Sequence, residues 1–277
     1  EKGNPVYLPL KNNPYAEKLE GEFLNFCQIC IEKGNLVVRL IKKLKDKKEE
    51  YHPETERIAI DIGLNPLFAT DRGDLFGRNF LCYLKKLDEK ITKRMALLQK
   101  RGIKPSQDEK YVKLVNRLRN FLKNEINRYL NRIVEIYRPA EIVIEKLDFR
   151  SPELSRRMNR LLSIFGKRYI KEKLKKLKEV FGIKVVEVNS AFTSQTCSNP
   201  FCGYVDPKNR KNTQRFECRS CGMKINAQVN GARNLLARRS CGEIKLHHSK
   251  KQVLRILVRQ YLERLKGCNS APLEVIR

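Results

Sequence analysis

Apolar positions along the chain change rhythm several times, and each change marks an element. Two apolar runs, GEFLNFCQICIE and GNLVVRLIKKL, meet at Lys33-Gly34-Asn35, a turn of the kind that joins two strands into a hairpin. The charged stretch KKLKDKKEEYHPETE follows as a linker or edge excursion. RIAIDIGLNPLFAT then opens with a continuous apolar run, as a strand covered on both faces requires; it ends at Asp61, and Gly63 turns the chain into a second strand. DRGDLFG supplies the next turn and predicts a third short strand around Leu75 to Leu81.

From Lys85 to Arg138 the period becomes helical, broken into two helices by RGIKPSQDEK. AEIVIEKLDF is another buried strand, ending in Glu145. A long helix is predicted next, with Ser151 as N-cap, Pro152 at the first helical position, apolar residues at Leu154, Met158, Leu161, Phe165 and Tyr169, and Gly182 as the stop. IKVVEVN is a further strand, a short helix runs from near Ala227 to Arg239, and a basic amphipathic helix occupies roughly Lys250 to Lys266. Three strands, helix, strand, helix, strand and a closing helix describe a mixed-sheet α/β core. An RNase H-like fold has that order, and so do several others.

Charge narrows the possible partners. The chain has 277 residues, 41% of them hydrophobic, with 59 Lys and Arg against 31 Asp and Glu, a formal +28. That is core enough for a globular protein and far more positive charge than solubility needs, so a polyanion is the expected partner. No apolar run is long enough to span a bilayer and no signal peptide is present, which favours nucleic acid over a membrane surface. The cations expected to meet phosphates lie on the basic helices and near the cysteines: Lys93, Arg94, Lys113, Arg117, Arg156, Arg157, Arg160, Lys167, Arg168, Arg210, Lys211 and Arg215. Nine cysteines without a secretory signal point to a reducing compartment, where thiols serve metals or cores. The first residue is Glu1 rather than Met, and a processed or trimmed product is expected.

CSNPFC and CRSC place Cys197, Cys202, Cys218 and Cys221 as two knuckles, each followed by a glycine, Gly203 or Gly222, where the chain must turn tightly. This spacing matches a four-thiolate zinc ribbon, although the first knuckle is two residues longer than CxxC. Four protein ligands leave no open position, so this zinc is structural and any catalysis must come from elsewhere. Cys27 and Cys30 have no second pair nearby and are taken as strand residues.

Asp61 and Glu145 each end a buried apolar strand, where a carboxylate is costly unless it meets a cation or donors. Together in a basic protein they suggest a Mg²⁺ site. Phosphodiester hydrolysis commonly uses two such ions roughly 3.5 to 4 Å apart, held by several carboxylates.

IAIDIGLNPLFAT, IVIEKLDF and the ribbon followed by NAQVNGARN resemble, in consistent order over about residues 57–240, the three RuvC segments and zinc ribbon of TnpB. TnpB is the transposon-encoded RNA-guided nuclease family related to the type V CRISPR effectors. The resemblance implies an RNase H-like (RuvC) core over 57–192 with a helical insertion about 85–138, a target-binding ribbon over 193–225 and a closing helix over 226–240. A basic helical tail would occupy 241–277, and residues 1–56 would be the end of a wedge β-barrel. It further implies guide RNA and double-stranded target DNA as partners, metal ligation by Asp61 and Glu145, and a location in the prokaryotic cytosol on the nucleoid.

One position departs from the family pattern. Where the family carries NADxNAARN, with the aspartate as third metal-binding acid, this chain has Gln228. A neutral, longer side chain there predicts weak metal binding and strongly impaired cleavage, and so a protein acting by target occupancy. Two rivals stand beside this expectation. In one, another acid, Asp206 or Glu243, serves and the protein is an active Mg²⁺-dependent endonuclease. In the other, the chain binds DNA without a guide.

Overall fold

The computed structural model describes residues 14–17, 20–32, 34–44, 50–145 and 151–269. The chain divides into two compact units, residues 1–50 and 51–277. In the first, a single helical turn α1 (Pro14–Glu17) precedes the antiparallel strands β1 (Gly21–Glu32) and β2 (Asn35–Leu44). Gly34, at φ +81°, makes the expected hairpin turn. Cys27 and Cys30 lie opposite Leu40 and Val37, as strand residues rather than as half of a metal site. Residues 45–49 of the charged stretch after β2 lie outside the described residues.

The second unit is built on a five-stranded sheet in the order β5-β4-β3-β6-β7. These strands are β3 (Thr55–Ile62), β4 (Phe68–Thr70), β5 (Leu75–Phe76), β6 (Pro139–Glu145) and β7 (Lys184–Val188). β3, β4 and β5 form an antiparallel meander, whereas β3, β6 and β7 run parallel, so the sheet is mixed as the element order implied. Parallel neighbours need long crossovers. α2 (Phe80–Lys100) and α3 (Glu109–Tyr137) lie between β3 and β6, and α4 (Arg156–Phe181) between β6 and β7.

The continuous apolar runs are explained by burial on both faces. Ile58, Ile60 and Ile62 of β3 join Ile142 and Ile144 of β6 in the main core with α2, α3 and α4. The alternate residues Ala59 and Val143 pack with Val188 and with Leu235 of α5 (Ala227–Cys241) on the other face. Asp61 and Glu145 continue that second set. The register Ile60↔Ile144 therefore sets both acids side by side at the C-terminal ends of neighbouring parallel strands.

Two local expectations are corrected. The third strand stops at Phe76, because Gly77 turns the chain at φ +77° and Phe80 already starts α2. The N-cap of α4 is Ser155, not Ser151: its side chain accepts from the Met158 N–H at 3.1 Å and is itself held by Asp88. Ser151 instead forms a turn, its hydroxyl accepting from the Glu153 N–H at 3.2 Å while Asn159 binds its backbone. The buried line of α4 runs through Met158, Leu162, Gly166, Ile170, Leu174 and Leu177, leaving Leu161, Phe165 and Tyr169 on its shoulder. Gly182 does stop the helix, in the left-handed conformation at φ 71°.

β8 (Arg215–Glu217) and β9 (Lys224–Asn226) form a small hairpin within the cysteine-rich segment, and α6 (Lys250–Asn269) closes the described chain. No described helix is long and apolar enough to cross a membrane.

Candidate active site and metal centre

Asp61, Glu145 and Gln228 line one cavity of about 220 Å³, beside Gly63, Asn65, Ser151, Glu153, Arg210 and Thr213. β3 and β6 deliver the two acids, and the first turn of α5 delivers Gln228. Asn226 caps that helix, its side chain accepting from the Gln228 and Val229 N–H groups at 3.0 and 3.3 Å. The helix approaches the sheet closely enough that a β-carbon on Gly231 would lie 3.2 Å from the Asp61 carboxylate. Burial pushes Asp61 up to about 7, against the opposing pull of Arg210 and of the Ile62 N–H.

Gln228 is 6% exposed, and its amide nitrogen donates to the Pro66 carbonyl at 3.3 Å. A β-carbon on Gly63 would fall 1.7 Å from that nitrogen, so the absence of a side chain at Gly63 gives the Gln228 amide its place. Gln228 Oε1 is buried and makes no hydrogen bond. An orphan acceptor beside two carboxylates, one raised by desolvation, is a donor set that a hard cation fits, with one charge fewer than three acids would supply. Among the described residues, the acids of this cavity do not converge as tightly as the four cysteines do.

Neither replacement acid suggested by the sequence lines this cavity. Asp206 accepts from the Lys208 N–H at 2.7 Å and pairs with Arg219 in the ribbon, while Glu243 pairs with Arg259 and Gln260 near α6. The further carboxylate on the cavity is Glu153, which is ion-paired with Lys85. It belongs to the turn that sequence patterning took for the start of α4, so nothing in the periodicity marked it.

One face of α5 carries a polar ladder. Asn230 and Asn234 donate to the Thr193 and Thr196 carbonyls, with Asn234 at 2.8 and 2.7 Å, and Asn230 accepts from the Ser198 N–H at 3.0 Å. One turn on, Arg238 donates to the Asn189 and Ala191 carbonyls. The residues spaced four apart in VNGARNLLAR thus satisfy the carbonyls of the segment leading into the cysteine-rich region. Arg239, on the neighbouring face, forks onto the buried Glu141 at 2.7 and 3.0 Å and fixes α5 to β6.

Cys197, Cys202, Cys218 and Cys221 bring their sulfurs within 4.8 Å of one another and could hold a metal ion. Cys197 and Cys221 are 3.6 Å apart and Cys202 and Cys218 3.7 Å. A tetrahedron of sulfurs with metal bonds of about 2.3 Å has edges of about 3.8 Å. Burial pushes the Cys197 and Cys202 thiols up, aided by their sulfur neighbours, which is the electrostatic state that a bound cation relieves. Gly203 and Gly222 turn at φ +71° and +74°, as the knuckles require.

The cations expected to meet phosphate are not equivalent in the structure. Lys93, Arg156, Arg160 and Lys211 are exposed, and Lys167 is half-buried. Lys113, Arg168 and Arg215 pair with Glu109, Glu172 and Glu217. Arg117 and Arg157 donate to the hydroxyls of Tyr83 and Tyr111, and Arg94 joins α2 to the N-cap of α3 by forking onto Asp108. Arg210 lies apart from the helices, on the acidic cavity.

Residues 168–235 match the family model for the Cas12f1-like TNB domain. The chain is 46% identical over 57 residues to CRISPR-associated endodeoxyribonuclease Cas12f1 of Sulfoacidibacillus thermotolerans, covering 21% of this chain and 13% of the relative. It is 28% identical over 220 residues to "Putative RNA-guided DNA endonuclease InsQ" of Escherichia coli (strain K12), covering 70% of this chain and 52% of the relative. The solved structure "Cryo-EM structure of CRISPR-Cas12f Ternary Complex" is similar over 74% of this chain and 42% of that one, at 23% identity and a TM-score of 0.45. The matched part thus spans at most about half the length of these curated relatives. Over the regions matched, the chain is similar to the Cas12f1-like TNB domain, to Cas12f1 and to the TnpB-type protein InsQ.

Proposed function

We propose that this chain is an RNA-guided DNA-binding protein of the TnpB and Cas12f kind, with a RuvC-type core that holds its target without cutting it efficiently. Guide pairing supplies sequence specificity, and the protein supplies backbone grip and recognition of a short flanking motif. It acts in the prokaryotic cytosol, at the nucleoid, by occupying double-stranded DNA. One observation carries the reading. Gln228 stands on the cavity of Asp61 and Glu145, its amide turned to the Pro66 carbonyl, where the superfamily pattern calls for a third acid.

Asp61 and Glu145 would hold Mg²⁺, and Gln228 Oε1 can offer one neutral oxygen. Bound Mg²⁺ activates water and stabilises a leaving oxygen. Arg210, on the same cavity, offers a guanidinium to the approaching phosphate and offsets the charge of Asp61. With one anionic ligand missing, the residues can still orient a strand here, but the charge that gathers two cations falls short. Zinc in the cysteine quartet would hold the ribbon in shape and take no part in the reaction.

A second reading, an active endonuclease, is favoured by Glu153, the additional carboxylate on the cavity. Footprinting with guide RNA and matched or mismatched duplex in Mg²⁺ separates the two. The proposed function gives guide-dependent protection of matched DNA with little product. Rapid cutting would establish the second reading, and protection indifferent to the guide would overturn both.

A further inference from the structure

A second cavity, of about 250 Å³, lies between the long first knuckle, the C-terminal half of α5 and the inner face of α6. It opens away from Gln228: the residues of α5 that line it, Asn234, Ala237, Arg238 and Cys241, lie on other faces of that helix. Pro200, Ala237, Ile244 and Leu257 supply its apolar lining, and hydrogen-bonding groups share the rest.

Three of those groups have capacity to spare. Ser198 Oγ is shielded from water and makes no hydrogen bond. Gln260 donates through its amide nitrogen to Glu243 at 2.7 Å, a contact that does not use its carbonyl oxygen. Arg264 has no acid partner among the described residues, yet its guanidinium has a defined seat. A β-carbon on Gly203 would fall 2.0 Å from an Arg264 terminal nitrogen, so the bare backbone of that glycine is where the guanidinium rests. Asn234 and Arg238, by contrast, are committed to backbone carbonyls.

An unpaired fork donor, an unused carbonyl acceptor and a hydroxyl around an apolar slot suit a flat ligand with two apolar faces and a polar edge. A phosphate group would be stripped of water by the aliphatic part of the lining, where the Arg238 donors are already committed to carbonyls and Arg264 alone has donors to spare, whereas a nucleobase buries its faces and keeps its edge bonded. Guanine has the complementary edge, with O6 and N7 accepting from an arginine fork and N1–H and N2–H to donate to a carbonyl. We propose that this cavity takes one unpaired nucleobase, guanine in preference to the others, from a strand drawn across the ribbon. The inference rests on the nucleic-acid reading of the protein and assigns that reading a base-specific site on the protein itself. The long knuckle is what builds it, since Pro200 is one of the residues inserted between Cys197 and Cys202.

The test is fluorescence anisotropy of the full chain with a short labelled thymidine oligonucleotide at fixed salt. Companion oligonucleotides carry one central guanosine, 7-deazaguanosine, adenosine or abasic site. The guanosine oligonucleotide should bind roughly tenfold more tightly than the thymidine parent, and 7-deazaguanosine should lose most of that gain. Arg264→Lys should abolish the preference while leaving thymidine-tract binding, zinc content and melting temperature near those of the parent, and Ser198→Ala should reduce it. Equal affinity for guanosine and abasic oligonucleotides, or a preference that survives Arg264→Lys, would overturn the proposal and leave the nucleic-acid reading standing. Absence of binding to every oligonucleotide at low salt would defeat both.

Discussion

Arg238 is a charged side chain 6% exposed, and its environment explains why it is tolerated. Burial lowers its pKa to about 10, opposed by the charge of Glu145, and its donors reach the Asn189 and Ala191 carbonyls. Arg238→Leu removes the burdened cation but orphans those carbonyls, which costs about 3 kcal/mol. The expected fall in melting temperature is roughly 10 °C, and an unchanged value would show that the carbonyls find other partners. Of the residues at the acidic cavity, Asp61 and Glu145 were legible from strand ends, and Gln228 from a departure in a motif. Arg210 and Glu153 were not, because each comes from a loop whose path no hydrophobic period records. Arg210 was marked by charge alone, without its place beside Asp61.

At the scale of elements, patterning found what one strong period defines: the buried strands β3 and β6, the break between α2 and α3, and the glycine stop of α4. It misplaced the start of α4 because Ser151-Pro152 satisfies the same capping pattern as Ser155. What decides between them is tertiary: Asp88 of α2 holds Ser155, and Asn159 holds Ser151. The ribbon's buried residues around the cysteines are few, Phe216 and Ala227, so a metal held by the four sulfurs would contribute much of its folding free energy. Purified protein should contain about one zinc per chain by elemental analysis. Cys218→Ser with Cys221→Ser should remove it and open the 197–226 segment to limited proteolysis, while the α2 to α4 core still melts cooperatively. A zinc-free chain with a protected ribbon would contradict this.

For the molecule as a whole, a formal charge of +28 makes affinity for nucleic acid a function of salt. Log affinity should fall linearly with log salt, with a slope of about −0.9 for each phosphate neutralised on duplex DNA. The structure sorts the cations that set this slope. Reversing the exposed Lys93, Arg156 and Arg160 should flatten it without loss of stability. Reversing Arg94 should instead lower the melting temperature, since that residue holds the N-cap of α3 through Asp108. A slope unmoved by the triple reversal would place the contact surface elsewhere.

Whether binding and cutting are uncoupled at Gln228 is decided by the variant Gln228→Asp. The substitution removes a methylene, frees the Pro66 carbonyl and returns an anionic oxygen to the first turn of α5, beside Asp61 and Glu145. With guide, matched duplex and Mg²⁺, the parent should bind and leave the DNA largely intact. Gln228→Asp should cut it at least about a hundredfold faster, because charge at the reacting phosphate is worth several kcal/mol. Adding Asp61→Ala should abolish that gain. Efficient cutting by the parent, or no cutting by Gln228→Asp while matched DNA stays tightly bound, would contradict the account.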